Sequence, residues 1–334
     1  MGFSSGKKIF LKLWLINLGL AAAGFLHALG NNDNTNRPLV IYGIKGPSAV
    51  GIIRLFEEAP TISGFNVRVE ALAQADLMAA RFISGEAKVG ILPPNMAAKI
   101  ASSGRDIRAA AVIGGGMLSL LGADPAIRSI GDLKGKTVEV AGQGATPDYV
   151  FRKILKSHGI DPERDLTLGY SLAYPEIAQS LIAGKISIAL LPEPFATMAL
   201  AGKSELNSVA DIQEEWANAG SRGGQSGGNY PMTLLVVDGA FADANPLAVA
   251  EIMAAVKNSI EWVCAFPEEA GILVEKHDLG LRSAVITSAI PKSNYIFIPA
   301  MEARPSLEEL FKVFLEYAPV SIGGALPADR FYLK

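Results

Sequence analysis

"VGILPPNMAAKI" runs from Val89 to Ile100, and "IALLPEPFATMAL" from Ile188 to Leu200. Each is an apolar run of strand length, then a proline cluster, then a stretch that can be helical. Pro93 and Pro192 lie 99 positions apart. The same offset lays Leu92 on Leu191, Gly85 on Gly184, Ile83 on Ile182 and Gly43 on Gly142. "LVIYG" (Leu39–Gly43) then falls over "VEVAG" (Val138–Gly142). Overall identity between the copies is low. The coincidences fall on glycines and prolines at element ends, where backbone geometry dictates the residue, so they argue for a structural repeat.

Each copy reads as strand, Gly-rich turn, helix, strand, helix, strand, proline, helix. "LVIYG" is apolar throughout, as a strand covered on both faces must be. "FNVRVEAL" (Phe65–Leu72) alternates, and "QADLMAARFISG" predicts a helix capped by Asp76 and stopped at Gly85. Such a βαβαβ unit is parallel and right-handed. Two units predict an α/β protein of two lobes. Residues 38–120 and 233–334 form the first lobe and 121–232 the second. Extended segments near 117–122 and 232–237 bracket the second unit and predict a two-strand hinge. Helices are expected at Pro246–Ala265, Glu268–Lys276 and Ser306–Tyr317.

The 334 residues are half hydrophobic and 19% charged, which excludes a disordered chain. A net charge of −3 gives no basic footprint for nucleic acid. Residues 1–30 differ in kind. Lys7, Lys8 and Lys12 precede an apolar run from Leu13 to Leu26, and Ala28 and Gly30 offer a cleavage point. That is the layout of an export signal, followed by a polar linker over 31–37. Its apolar core is shorter than the ~20 residues a membrane helix needs. Cleavage would take away three lysines and no acid, moving the charge from −3 to −6. The single cysteine, Cys264, forbids an intrachain disulfide and reads as a small apolar filler on a buried helix face.

In open α/β sheets ligands bind beyond the carboxyl ends of the strands. The corresponding turns are Lys45-Gly46-Pro47-Ser48 and Pro93-Pro94-Asn95 in the first copy. In the second they are Gln143-Gly144-Ala145-Thr146 and Pro192-Glu193-Pro194. "GQGATP" is a fragment of a dinucleotide fingerprint, but Pro147 replaces the third glycine and rules out a nicotinamide cofactor. Pro147 suits a helix start whose free N–H groups would attract an acceptor oxygen. Glu193, held between two prolines, is expected to accept from a ligand amine. Tyr174 and Tyr230 are candidates to stack on a planar ligand, and Asn294 is a further turn candidate. No cofactor and no metal is expected, because His158 and His277 lack ligand spacing. "GFSSG" (Gly2–Gly6) and "GQSGG" (Gly224–Gly228) fit a nucleophile-elbow pattern without its strand–turn–helix context.

Four blocks in order carry a resemblance: "IRSIGDLKGKTVEVAG" (Ile127–Gly142), "LLPEPFATMA" (Leu190–Ala199), "NPLAVAEIMAAVKNSIEWVCAFPEEA" (Asn245–Ala270) and "SIGGALPADRFYLK" (Ser321–Lys334). Together they resemble periplasmic substrate-binding proteins of ABC transporters, of the nitrate, sulfonate and taurine group that includes thiamine-precursor binders. The resemblance implies a type II binding-protein fold, a small-molecule ligand clamped between lobes, and permease subunits as partners. It also implies a periplasmic or extracytoplasmic, non-enzymatic monomer with no stable membrane insertion. Two alternatives resemble the same family. One is a thiamine-pyrimidine-synthase-like enzyme, whose cysteine-rich motif this chain lacks. The other is a ligand-binding sensor subunit.

Overall fold

The computed structural model describes residues 37–222 and 229–334. The expected export signal, most of the expected linker and the "GQSGG" segment lie outside the described residues. Arg37, expected to end the linker, is already the first residue of a strand.

In chain order the strands are β1 (Arg37–Ile44), β2 (Thr61–Ile62), β3 (Phe65–Leu72), β4 (Val89–Leu92), β5 (Ile107–Gly115) and β6 (Leu118–Gly122). They continue with β7 (Thr137–Val140), β8 (Thr167–Gly169), β9 (Ile188–Pro192), β10 (Asn207–Asp211), β11 (Pro231–Asp238) and β12 (Tyr295–Pro299). They form two sheets, ordered β12-β5-β11-β4-β1-β3-β2 and β10-β6-β9-β7-β8. The result is a mixed α/β protein of two lobes.

The repeat is visible element by element. β1 pairs in parallel with β3 and β4, as β7 does with β8 and β9. Every residue of β4 and of β9 is buried. The helix Ala75–Ser84 falls on Tyr174–Ile182 at the offset expected from the sequence. Directly beside this parallel core each sheet carries an antiparallel strand, β11 against β4 and β6 against β9, with β5, β12 and β2 antiparallel in the first sheet and β10 in the second. β11 and β6 both arrive from the other half of the chain. The segments expected as hinge strands thus each lie inside one sheet, β6 in the second and β11 in the first. The first passage between sheets is only Gly116-Met117.

That passage is clamped. Gly115 N–H donates to Asn294 O at 3.0 Å, and Gly116 N–H donates to Asn229 Oδ1 at 2.9 Å. Asn294 Nδ2 donates to Gly116 O at 2.8 Å. Asn294 takes a left-handed φ of 46°, a conformation asparagine tolerates better than most side chains. Gly115 faces Pro231 across the ladder between β5 and β11, so the start of β11 lies beside the first passage.

Several expectations change. Gln74, not Asp76, is the N-cap of the helix Ala75–Ser84, and Asp76 sits in its first turn. The last long helix begins at Ala300, with Pro305 inside it, rather than at Ser306. The helix Pro246–Ala265 buries Val249, Ile252, Val256, Ile260 and Val263 at helical spacing. Cys264 lies one residue past that stripe and is exposed, so it is not a core filler. Among the described residues no helix is long and apolar enough to cross a membrane.

Gly116 does not occupy the left-handed region, so an added methyl group would by itself stabilise by about 0.4–1 kcal/mol. Its Cβ, however, would fall 1.9 Å from Gln213 Oε1 and 2.4 Å from the Tyr230 ring. The clash outweighs the entropy gain, and Gly116→Ala is expected to lose about 1–3 kcal/mol. Urea denaturation of the two proteins checks this; a stabilised variant would show that the passage is loose.

Candidate functional site

Because β1 and β4 run side by side, their following turns share one edge of the first sheet. Gly46 begins the turn after β1 with φ 114°, which only glycine adopts readily. Ser48 Oγ donates to Ile44 O at 2.8 Å and also accepts from Ile44 N–H at 3.3 Å, so the hydroxyl ties the turn to its own strand. Lys45 is exposed, and its Nζ donates to Asp278 O at 3.2 Å. The helix expected to start near Ser48 runs only from Pro47 to Gly51 before Ile52 interrupts it. A single turn carries little dipole, so the expected pull on an anion is weaker there. After β4, the helix Pro94–Ser102 starts with a buried Pro94, and Asn95 Oδ1 is buried with no hydrogen-bond partner in the protein.

The second sheet offers the matching edge beyond β7 and β9. Gly142 and Gly144 have φ values of 78° and 77°, and Ala145 is the N-cap of the helix Thr146–Ser157. Gly142 and Gln143 are exposed. Thr146 is 2% exposed, and its Oγ1 has no hydrogen-bond partner in the protein. Gly144 N–H, expected to be free for a ligand, instead donates to Asp148 Oδ2 at 2.9 Å. Asp148 is 2% exposed and holds the turn from within. It accepts from Arg152 Nε and from Tyr170 OH, each at 2.6 Å, and Arg152 Nη2 donates to Tyr170 OH at 2.9 Å. Burial, and then the hydrogen bond to Asp148, push the Tyr170 phenol well above its usual pKa. Asp148 was not among the expected site residues. Its one sequence signal is the i, i+4 pairing with Arg152 in "DYVFR".

Glu193 is only 3% exposed. Its N–H donates to Met117 O at 3.0 Å, and its Oε2 accepts from Thr197 N–H at 3.0 Å, so the carboxylate caps the helix Phe195–Gly202. The residue expected to wait for a ligand amine thus already carries a structural bond. Burial raises its pKa, opposed by the Thr197 hydrogen bonds and by the charge of Lys292. Tyr174 is half-buried and stacks on Phe195, with ring centroids 5.8 Å apart and planes at 25°. The Tyr174 hydroxyl lies 3.8 Å from the position a Gly142 Cβ would take. Tyr295, not anticipated from the sequence, donates its hydroxyl to Pro47 O at 3.0 Å, and burial raises its pKa above the usual phenol value. Residues beside the turns of the two sheets share one buried cluster, which holds Ala49 and Val50 from the first with Ala141 and Phe195 from the second.

Two expected residues lie elsewhere in role. Tyr230 is 0% exposed and packs on Trp216 at 5.3 Å, leaving no face for a ligand. Asn294 clamps the passage between sheets through both its backbone and its amide. Among the described residues no group of three or more His, Cys, Asp or Glu could hold a metal ion. His158 and His277 each meet one glutamate, Glu215 at 2.7 Å and Glu57 at 3.0 Å. Cavities of about 470 and 410 Å³ lie against the C-terminal tail, and another of about 410 Å³ lies beside Lys136 and Lys185. None of the three is lined by an expected site residue.

Residues 63–270, more than half of the chain, match the model of a family described as NMT1/THI5 like. No curated protein sequence matches the chain. Among solved structures, an ABC transporter protein from Parabacteroides distasonis is 25% identical with a TM-score of 0.77, covering 89% of this chain and 98% of that one. The periplasmic aliphatic sulphonate binding protein SsuA from Escherichia coli is 16% identical with a TM-score of 0.69, over 89% and 92%. The periplasmic nitrate-binding protein NrtA from Synechocystis PCC 6803 is 12% identical with a TM-score of 0.62, over 84% and 81%. The last two are periplasmic binding proteins by description.

A raised carboxyl pKa means that the folded state holds its proton more tightly than the unfolded chain. From the unfolded value of about 4.3 upward to the raised folded value, Glu193 therefore lowers stability as pH rises. Glu193→Gln keeps an acceptor for Thr197 N–H and has no proton to lose. The variant should match the parent near pH 4 and gain on it steadily toward neutrality in urea denaturation. Parallel pH curves for the two proteins would show that the buried site does not resist ionisation.

Proposed function

We propose that this chain, which belongs to the NMT1/THI5-like family, is the extracytoplasmic solute-binding component of an ABC importer. It captures a small polar molecule between its two lobes and delivers it to a permease. The observation that carries the reading is one buried cluster that joins residues beside strand-end turns of both sheets, Ala49 and Val50 from the first with Ala141 and Phe195 from the second. The binding-protein neighbours share this two-lobe architecture. The export-signal pattern of residues 1–30 supports work outside the cytoplasm, by a monomer free to present both lobes. The proposed moving units follow the sheets, residues 38–116 with 231–334 and residues 117–230, because β6 lies wholly in the second sheet and β11 in the first, which shifts the bounds of 120 and 233 read from the sequence.

The proposed ligand contacts are Gly46, Pro47, Asn95, Gln143, Ala145, Thr146 and Tyr174, with Tyr295 and Phe195 added from the structure. Asn95 Oδ1 requires a donor, and Thr146 Oγ1 can donate or accept. A ligand with both an amine or ring N–H and an acceptor oxygen would satisfy both. The Tyr174–Phe195 pair offers an aromatic wall for its apolar part.

A ligand at about a hundred times its Kd stabilises the folded state by roughly 2.7 kcal/mol, a melting shift of several degrees. Thermal shift of the protein without residues 1–30 against sulfonates, nitrate, pyrimidines, flavins and amino acids should yield one such class. Thr146→Val, which keeps shape and removes the hydroxyl, should weaken that hit about ten-fold or more. A panel in which nothing shifts the melt, or in which only apolar compounds do, overturns the reading.

A further inference from the structure

The helix Thr146–Ser157 belongs to the second sheet's lobe, and its first residues form the Gly144–Asp148 turn. Its outer face is gripped by the helix Ala300–Tyr317, which follows β12 of the first sheet. Tyr149 stacks on Tyr317, centroids 5.8 Å apart and planes at 15°, and meets Phe314 edge-on at 5.2 Å. Lys156 Nζ donates to Glu316 Oε1 at 3.0 Å and lies 4.4 Å above the Tyr317 ring. Lys153 Nζ approaches Glu309 Oε1 at 3.5 Å. A second grip is apolar: Ile286 and Ile290 of the first lobe share a buried cluster with Phe195 and Ala199 of the second. The two gripped helices, Thr146–Ser157 and Phe195–Gly202, are the ones that begin at the second lobe's ligand turns.

We propose that Tyr317 and Glu316, with Glu309, form a latch that holds the two lobes together and positions the Gly142–Thr146 turn of the opposite lobe. This rests on the solute-binding reading for its purpose, but not for its physics. The contact is built to open. The Lys156–Glu316 pair is half-exposed on both sides, so water replaces each partner at little penalty. The Tyr317 hydroxyl is buried in this arrangement, and opening would return it to water. The passage at Gly116-Met117, by contrast, is fixed by three hydrogen bonds at Gly115 and Gly116. Closure also touches the turn directly. The Tyr149 hydroxyl lies 3.6 Å from where a Gly144 Cβ would stand, so the ring that stacks on Tyr317 also backs the turn.

The test uses ligand-free protein, so it is independent of whether a solute is ever found. Exposed Cys264 is first changed to Ser, and spin labels are placed through Ser84→Cys and Ala183→Cys, exposed helix ends related by the repeat. Lys156→Glu should raise the open-to-closed ratio about 1.5- to 5-fold, and adding Glu316→Lys should return it to the parent value. Tyr317→Ala should raise it about two- to twelve-fold; Tyr317→Leu, which keeps apolar bulk, serves if that variant fails to fold. In the same opened variants, amides of the Gly142–Asp148 segment should exchange hydrogen faster. The latch is overturned if neither substitution moves the distance distribution, or if the charge swap fails to restore it. Unchanged exchange at Gly142–Asp148 in an opened variant would overturn the positioning role.

Discussion

Two antiparallel strands tie the molecule together, because each enters its sheet directly from the other half of the chain. β6 completes the second sheet immediately after β5 of the first, and β11 completes the first after the chain has finished the second. Neither sheet can close over its core without a strand delivered by its neighbour's chain segment. The passage must therefore be short and fixed in register. Gly115 and Gly116 meet this need by being small: side chains there would strike Asn229, Gln213 and Tyr230. The clamp of Asn229 and Asn294 then sets the angle at which the two parallel cores face each other.

From that arrangement the site follows. Parallel strands deliver their carboxyl ends to one edge, and facing lobes bring two such edges together. The backbone donors there are partly claimed by the chain itself. Asp148 takes Gly144 N–H, and Glu193 takes Thr197 N–H. Both carboxylates are buried, and both rigidify a turn. A rigid turn loses less entropy on binding, so preformed geometry favours affinity even where it removes a donor.

The parallel core was legible in the sequence because its landmarks are backbone-determined. Gly85 and Gly184 end helices at positive φ, and prolines open the helices after β4 and beside β9. The long amphipathic helix Pro246–Ala265 was legible by its period. β10 and β12 were not, since "NSVAD" and "YIFIP" are exposed or half-buried edge strands with no clean alternation. Side-chain roles were least legible. Nothing near Tyr230 in the chain announces Trp216 as its partner, and nothing near Asn294 announces Gly116. Those fates depend on which distant strand arrives beside them. Asp148 had a local signal, but an i, i+4 ion pair is common on solvated helices and did not mark a buried support.

On the proposed solute-binding reading, two of the buried polar atoms without protein partners mark the work that remains for a ligand. Asn95 Oδ1 and Thr146 Oγ1 are buried at the starts of two helices, one in each lobe. Each such group weakens the fold by about 1–3 kcal/mol when it bonds to nothing. A solute that bonds both recovers the penalty in each lobe at once, and it can do so only while the lobes face each other. On the proposed solute-binding reading, recognition and closure are one event, in which the unsatisfied atoms supply the driving force and the clamped passage supplies the geometry.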